Sequence, residues 1–202
     1  MSEHKLHYPD FNVLNAEEHW DPHTREIVDK RLETQTFFPP QFLTEQEIET
    51  LFHLCSVLLD DQRKPVIAFV VHHFDSTLKA SIGESQRKIG VPEQSVLIRG
   101  GLTLLNQVCN ERYGGAFHTI DENLKIQVVG ELMQGNLSVP SNAQSVPAKD
   151  FADKILSVSV AAYYSHPTIW SEIGYAGPAY PRGYVRSELG LTDPWEARRN
   201  VE

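Results

Sequence analysis

The residues of this 202-residue chain best equipped for chemistry are its nine histidines, because imidazole ligates metals and moves protons near neutral pH. His19 and His23 stand four apart, the spacing that puts two ligands on one helix face. Pro22 lies between them and interrupts any regular helix through both. His72 and His73 are adjacent, so on a helix their side chains diverge by about 100° and cannot chelate one ion without outside ligands. No glutamate or third ligand stands at motif spacing, so the expectation is no metal site. The competing reading is a stand-alone metal-dependent enzyme built on His19, His23 and His72 or His73. Stoichiometric zinc, iron or manganese in the purified chain would favour it.

Other catalytic signatures are missing. The sequence contains no G-x-G-x-x-G, no G-x-x-x-x-G-K-[ST], no G-x-S-x-G and no C-x-x-C, which removes the usual phosphate cradles, the nucleophile elbow and the redox or zinc pair. Cys55 and Cys109 each fall on the apolar face of an expected helix and read as buried free thiols. Acidic pairs such as Glu17-Glu18 and Asp60-Asp61 read as solvated surface. The residues therefore predict no catalytic, cofactor-binding or metal-binding group on this chain.

Binding chemistry is concentrated between Trp170 and Tyr184, where three Gly, two Pro, three Tyr and one Trp occur. Gly and Pro set turns and prevent regular structure, while the aromatics supply large rigid surfaces with polar tips. Trp170, Tyr175, Gly177, Pro178, Tyr180, Pro181, Arg182 and Tyr184 are the candidate partner-binding residues. Arg182 can hold a partner carboxylate bidentately or close a local salt bridge. The loop as a whole either docks onto a partner or folds back over the chain's own helices.

Composition narrows the partners. Apolar residues at 41% and charged residues at 22% are those of a globular chain. A net charge of −9 argues against nucleic acid or an anionic membrane, since both need clustered Lys and Arg. No apolar run is long enough to span a bilayer. Met1 to Phe11 shows neither a basic segment followed by an apolar one nor an Arg pair, so a cytoplasmic location is expected, with export alongside a signal-bearing partner as the other route.

Helices must position these residues. Asp21-Pro22 opens a short helix with Ile27, Val28 and Leu32 on its apolar face. Thr44 and Glu47 form a capping box ahead of a stripe of Ile48, Leu51, Phe52, Cys55, Leu58 and Leu59. Pro65 starts a helix burying Ile67, Val70, Phe74, Leu78 and Ile82, although Val66 to Val71 is rich in β-formers. A helix from Pro92 to Tyr113 turns Leu97, Leu104, Leu105, Val108 and Cys109 inward, with Gly100-Gly101 permitting close helix contact and Gly114-Gly115 ending it. Thr119 with Glu122 is a second capping box, for a helix to Met133 carrying Leu124, Val128 and Leu132. Phe151, Ile155, Val158 and Ala162 share one face of a helix ending near His166, before Pro167. Thr168 to Ile173 adds a turn, and Thr192-Asp193-Pro194 caps a last helix through Arg199. No strand pair is evident. The expected fold is a single-domain all-α bundle, with an N-terminal arm over residues 1–41, a helical domain over 42–202 and an irregular C-terminal tail.

Three stretches resemble the gluconate 2-dehydrogenase subunit 3 family: FLTEQEIETLFHLCSVLLDD (42–61), LTLLNQVCNERYGGAFHTIDENLKIQVVGELMQG (102–135) and YYSHPTIWSEIGYAGPAYPRGY (163–184). Their order and spacing carry the likeness over roughly residues 36 to 184. The resemblance implies a non-catalytic accessory subunit that assists folding, stability or export of a large subunit of the flavin-dependent glucose–methanol–choline type. FAD is then expected on that partner and no cofactor on this chain. Family members commonly bear a twin-arginine signal, and this sequence departs from the family there.

Overall fold

Helices at the spacing of the apolar residues make up most of the described chain from Pro22 onward. The computed structural model describes residues 8–33, 39–81, 87–137, 146–179, 183, 186 and 191–198. It contains α1 (Pro22–Leu32), α2 (Glu45–Leu59), α3 (Lys64–Lys79), α4 (Gln94–Tyr113), α5 (Glu122–Met133), α6 (Ala148–Tyr163) and α7 (Pro167–Ile173), with 3-10 segments at Val13–His19 and Phe117–Thr119. No strand occurs among the described residues, and the fold is all-α. Contacts divide the chain into two compact units, one of Gln35–Ala162 and the other joining Met1–Thr34 with Tyr163–Glu202. The described residues 8–33 thus share a unit with described residues between 163 and 198.

In the Gln35–Ala162 unit, α3 is the most deeply buried helix by its run of apolar residues. Its β-rich run Val66 to Val71 is buried throughout, as are Phe74, Asp75 and Leu78, while His72, His73, Ser76 and Thr77 are half-buried. Helix α2 packs on α3, α4, α5 and the Phe117–Thr119 segment. It starts at the expected capping box: Thr44 N–H donates to the Glu47 carboxylate at 2.7 Å, and Glu47 N–H donates to Thr44 Oγ1 at 3.2 Å. Its inward stripe is Leu51, Leu54 and Cys55, joined by Thr50. Cys55 and Cys109 are free and buried.

Several boundaries differ from expectation for local reasons. Helix α4 begins at Gln94 rather than Pro92, after an extended Glu93. Asp121, not Thr119, caps α5 by accepting from Asn123 N–H at 2.9 Å, while the Thr119 hydroxyl donates to Ala116 O at 2.8 Å. Helix α6 ends at Tyr163, and His166 becomes the cap of α7. Residues 194–196 form a turn in place of a last helix. On α1 only Val28 is buried; Ile27 and Leu32 are exposed. Ile82 and Phe37-Phe38 lie outside the described residues.

Two polar or small residues set the packing of this unit. Asp75 has no solvent exposure, and its carboxylate accepts from three consecutive backbone groups, Gln41 N–H at 2.6 Å, Phe42 N–H at 3.0 Å and Leu43 N–H at 2.7 Å. Gly101 lets α4 and α6 touch: a Cβ there would overlap the Phe151 ring. Helices α4 and α5 are tied by Arg112 Nη1 to Glu131 Oε2 at 2.6 Å.

The contrast between two helical glycines is testable. Gly→Ala gains about 1 kcal/mol of helix propensity where space is free, and a Cβ at Gly130 would meet nothing within 4 Å. Overpacking a core costs about 1–3 kcal/mol. Urea unfolding should therefore show Gly130→Ala stabilised by up to about 1 kcal/mol and Gly101→Ala destabilised by about 2 kcal/mol. Equal midpoints for the two would contradict the close α4–α6 contact. Removing the Asp75 carboxylate leaves its backbone donors unpaired, so Asp75→Ala should cost about 3 kcal/mol in the same assay.

Candidate interaction surface

The unit of Met1–Thr34 and Tyr163–Glu202 holds the candidate docking stretch. Its first helix is fixed by Asp21, whose side chain accepts from His23 N–H at 3.0 Å and Thr24 N–H at 3.2 Å, with Pro22 in the first turn. Helix α7 begins at Pro167. There His166 Nδ1 accepts from Thr168 N–H at 3.2 Å, which satisfies one of the unpaired donors of a helix start. Helix α7 packs on α1 and on the Val13–His19 segment. Ser171 Oγ accepts from Val13 N–H at 3.2 Å, across most of the sequence length.

Between these elements lies an aromatic centre of Val13, Trp20, Val28 and Trp170, with Phe11 and Leu14 packed against it. Trp170 is 4% exposed, and its indole N–H donates to Tyr164 O at 2.6 Å. The Tyr175 ring meets it edge-on, with centroids 5.5 Å apart at 84°. On α1, the Arg31 guanidinium lies over the Trp170 ring, 5.4 Å from its centroid, and donates to Ser165 O at 2.8 Å. Burial draws its pKa below the ordinary value, with the nearby Tyr175 phenol acting the other way.

The eight candidate residues therefore separate. Trp170 and Gly177 face inward. Gly177 is buried at φ +78°, and a Cβ there would come within 2.6 Å of the Trp20 ring, so only glycine fits. Pro178 is half-buried, and Tyr175 is 38% exposed. Nearby on the chain, Tyr164 is 50% and Ile173 46% exposed. Tyr180, Pro181, Arg182 and Tyr184 lie outside the described residues. Beside the aromatic centre, Tyr8, Phe11, Leu14, Leu32, Pro167 and Ser171 help line an open cleft of about 340 Å³.

The histidines fall into separate places. His19 ends the Val13–His19 segment and has its ring 6.0 Å from Trp195, whereas His23 is in α1. His72 and His73 are on α3 in the other unit, His72 beside Gln41. No group of three or more His, Cys, Asp or Glu among the described residues is placed to hold a metal ion. Spacing gave no sign of the pair that does meet. His53 of α2 and His118 stack with centroids 6.5 Å apart at 24°. Lys125 of α5, nearly buried, places Nζ 3.3 Å from His53 Nδ1 and 3.2 Å from Glu122 Oε2. Burial, then the Lys125 charge, lowers the His53 pKa, with Glu49 and Glu122 opposing and His118 adding to the depression.

Fold and surface define an all-α protein with one helical bundle unit and a second unit made from both ends of the chain. It belongs to the gluconate 2-dehydrogenase subunit 3 family, whose model matches residues 45–177, from the first residue of α2 to the buried Gly177. The family name is that of one subunit of a multi-subunit dehydrogenase. No curated protein and no solved structure matches the chain. No helix among the described residues is long and apolar enough to cross a membrane.

The His53 environment predicts a pH dependence. Its folded pKa is depressed, so the unfolded chain binds the proton more readily. The stability from neutral His53 is complete above the unfolded value of about 6.5 and declines as pH falls through it toward the folded value. Urea midpoints should drop between pH 7.5 and pH 5.5, and His53→Gln should flatten that drop. An unchanged slope in the variant would remove His53 as its source.

Proposed function

We propose that this chain is the non-catalytic small subunit of a flavin-dependent sugar or polyol dehydrogenase, and that it binds its large partner and stabilises or matures it. The observation that carries the reading is the family match over residues 45–177. The large subunit, of the glucose–methanol–choline type, would hold the FAD and do the chemistry. On this reading the docking surface is the outer side of the aromatic stretch. Tyr175 is its exposed anchor, and Pro178, Tyr180, Pro181, Arg182 and Tyr184 continue it along the sequence. Trp170 and Gly177 hold that surface from within, which suits an interface whose binding energy rests on a few rigid aromatic anchors. The complex would reside in the cytoplasm or follow a signal-bearing large subunit out of it.

Co-expression with a large flavin dehydrogenase encoded beside this chain tests the assignment. Size exclusion should show the two co-eluting with flavin absorbance, and the large subunit should lose solubility when this chain is omitted. A colourless chain eluting alone beside an active large subunit would end the proposal. Within a complex, Tyr175→Ala combined with Tyr180→Ala should weaken binding by about tenfold or more. Unchanged affinity would move the docking surface elsewhere.

A further inference from the structure

Arg31 lies over the Trp170 ring of the aromatic centre, and no carboxylate among the described residues neutralises its charge. It sits on α1 three residues after the buried Val28, which turns it toward Trp170. One face of its guanidinium is covered by the Trp170 ring, and Nη1 is spent on Ser165 O. No carboxylate among the described residues comes within ion-pair distance of it, and no carboxylate contributes to its electrostatic environment. The contrast with the rest of the chain is sharp. Acidic residues outnumber Lys and Arg, 27 to 18, and Arg63, Arg99 and Arg112 each face a carboxylate. A guanidinium removed from part of its water, with donors left over in a planar fork, is matched best by a carboxylate accepting two parallel hydrogen bonds. Arg31 is itself only half-buried and the flanking Tyr175 is 38% exposed, so among the described residues both keep access to solvent.

We propose that Arg31, backed by Trp170 and flanked by Tyr175, is the receptor for a carboxylate of the partner subunit, an Asp or Glu side chain or a chain terminus, seated when the two proteins dock. The proposal rests on the accessory-subunit reading and supplies the polar contact that orients an otherwise aromatic interface. Charge complementarity selects the occupant: a basic or purely apolar segment would leave the guanidinium desolvated and unpaired, which opposes docking. Arg31→Lys keeps the charge and loses the fork, and Arg31→Met keeps the stem over Trp170 and loses the charge.

Two measurements test it. With the co-expressed large subunit, affinity should fall about tenfold or more for Arg31→Met and by a smaller factor for Arg31→Lys, while loss of the Ser165 O bond lowers the Arg31→Met thermal midpoint by only about 2–4 °C. Parent-like affinity in Arg31→Met would overturn the proposal. Sodium acetate titrated into the isolated chain, against sodium chloride at matched ionic strength, reads the site without any partner. The Arg31 Nε–H and Trp170 Nε1–H resonances should move saturably with acetate only, and the movement should vanish in Arg31→Met. Movement no larger than that with chloride would overturn the carboxylate site even where the two proteins co-elute. Acetate-specific movement with no complex formed would show instead that the accessory-subunit reading has failed, and with it the docking role, leaving a receptor for free carboxylates.

Discussion

The carboxylate of Asp75 is the constraint from which the helical unit follows. It is wholly buried on α3, with no ion-pair partner among the described residues, and three backbone N–H groups of residues 41–43 converge on it. Each side of this arrangement requires the other. A buried carboxylate without donors would cost several kcal/mol, and backbone N–H groups of a segment outside any helix or strand need acceptors of their own. Arg99 clamps the same segment from α4. It donates to Phe42 O at 2.7 Å and lies 4.5 Å from the centroid of the Phe42 ring. Its Nε approaches the Glu47 carboxylate at 3.2 Å, an ion pair by distance without the angle of a hydrogen bond. Glu47 in turn closes the capping box with Thr44. The start of α2 is therefore set by α3 and α4 before any of its apolar side chains are counted.

The second unit is held by aromatic burial rather than by a polar clamp. Trp20 illustrates the balance. Its indole N–H is buried without an acceptor among the described residues, a loss of about 1–3 kcal/mol. Burying roughly 200 Å² of tryptophan at about 25 cal/mol per Å² returns about 5 kcal/mol, so burial wins. Trp170 avoids the loss because Tyr164 O accepts its N–H. Glycine at 177 is what permits the approach, since any side chain there would strike the Trp20 ring.

Helix existence was legible because the period of apolar residues is local information. The inward set of α4, Leu97, Leu104, Leu105, Val108 and Cys109, reads directly from spacing and is buried as read. The β-rich run of α3 was resolved by the longer pattern around it, tertiary burial overriding propensity. Cap positions were less legible: Thr119 and Asp121 both precede an apolar run, and only geometry shows the Thr119 hydroxyl already committed to Ala116 O. Asp75 left a signal that spacing alone contains. Val71 and Leu78, four before and three after it, are both buried, so the carboxylate shares their face. The aromatic centre left none. Val13, Trp20 and Val28 meet Trp170 from the far end of the sequence, and Gly, Pro and aromatic content says that a surface is covered without saying by what. Arg31 is recoverable only in hindsight, from its three-residue step after Val28.

The division of the aromatic stretch into an inward and an outward set has an energetic consequence. Ordering a loop of glycines and aromatics costs conformational entropy, about 1–2 kcal/mol per backbone residue. If that cost fell on docking, it would subtract from affinity. Here the described part of the stretch is ordered within the chain itself, by Trp170 against Val13, Trp20 and Val28 and by Gly177 beneath the Trp20 ring. Tyr175 is then presented edge-on to a buried tryptophan rather than on a free loop. An exposed ring whose position is already fixed loses little on meeting a partner, so even a modest outer surface can bind well. On the proposed docking role, the inward residues would act through the entropy they have already removed, and their substitution should be felt in folding as well as in binding.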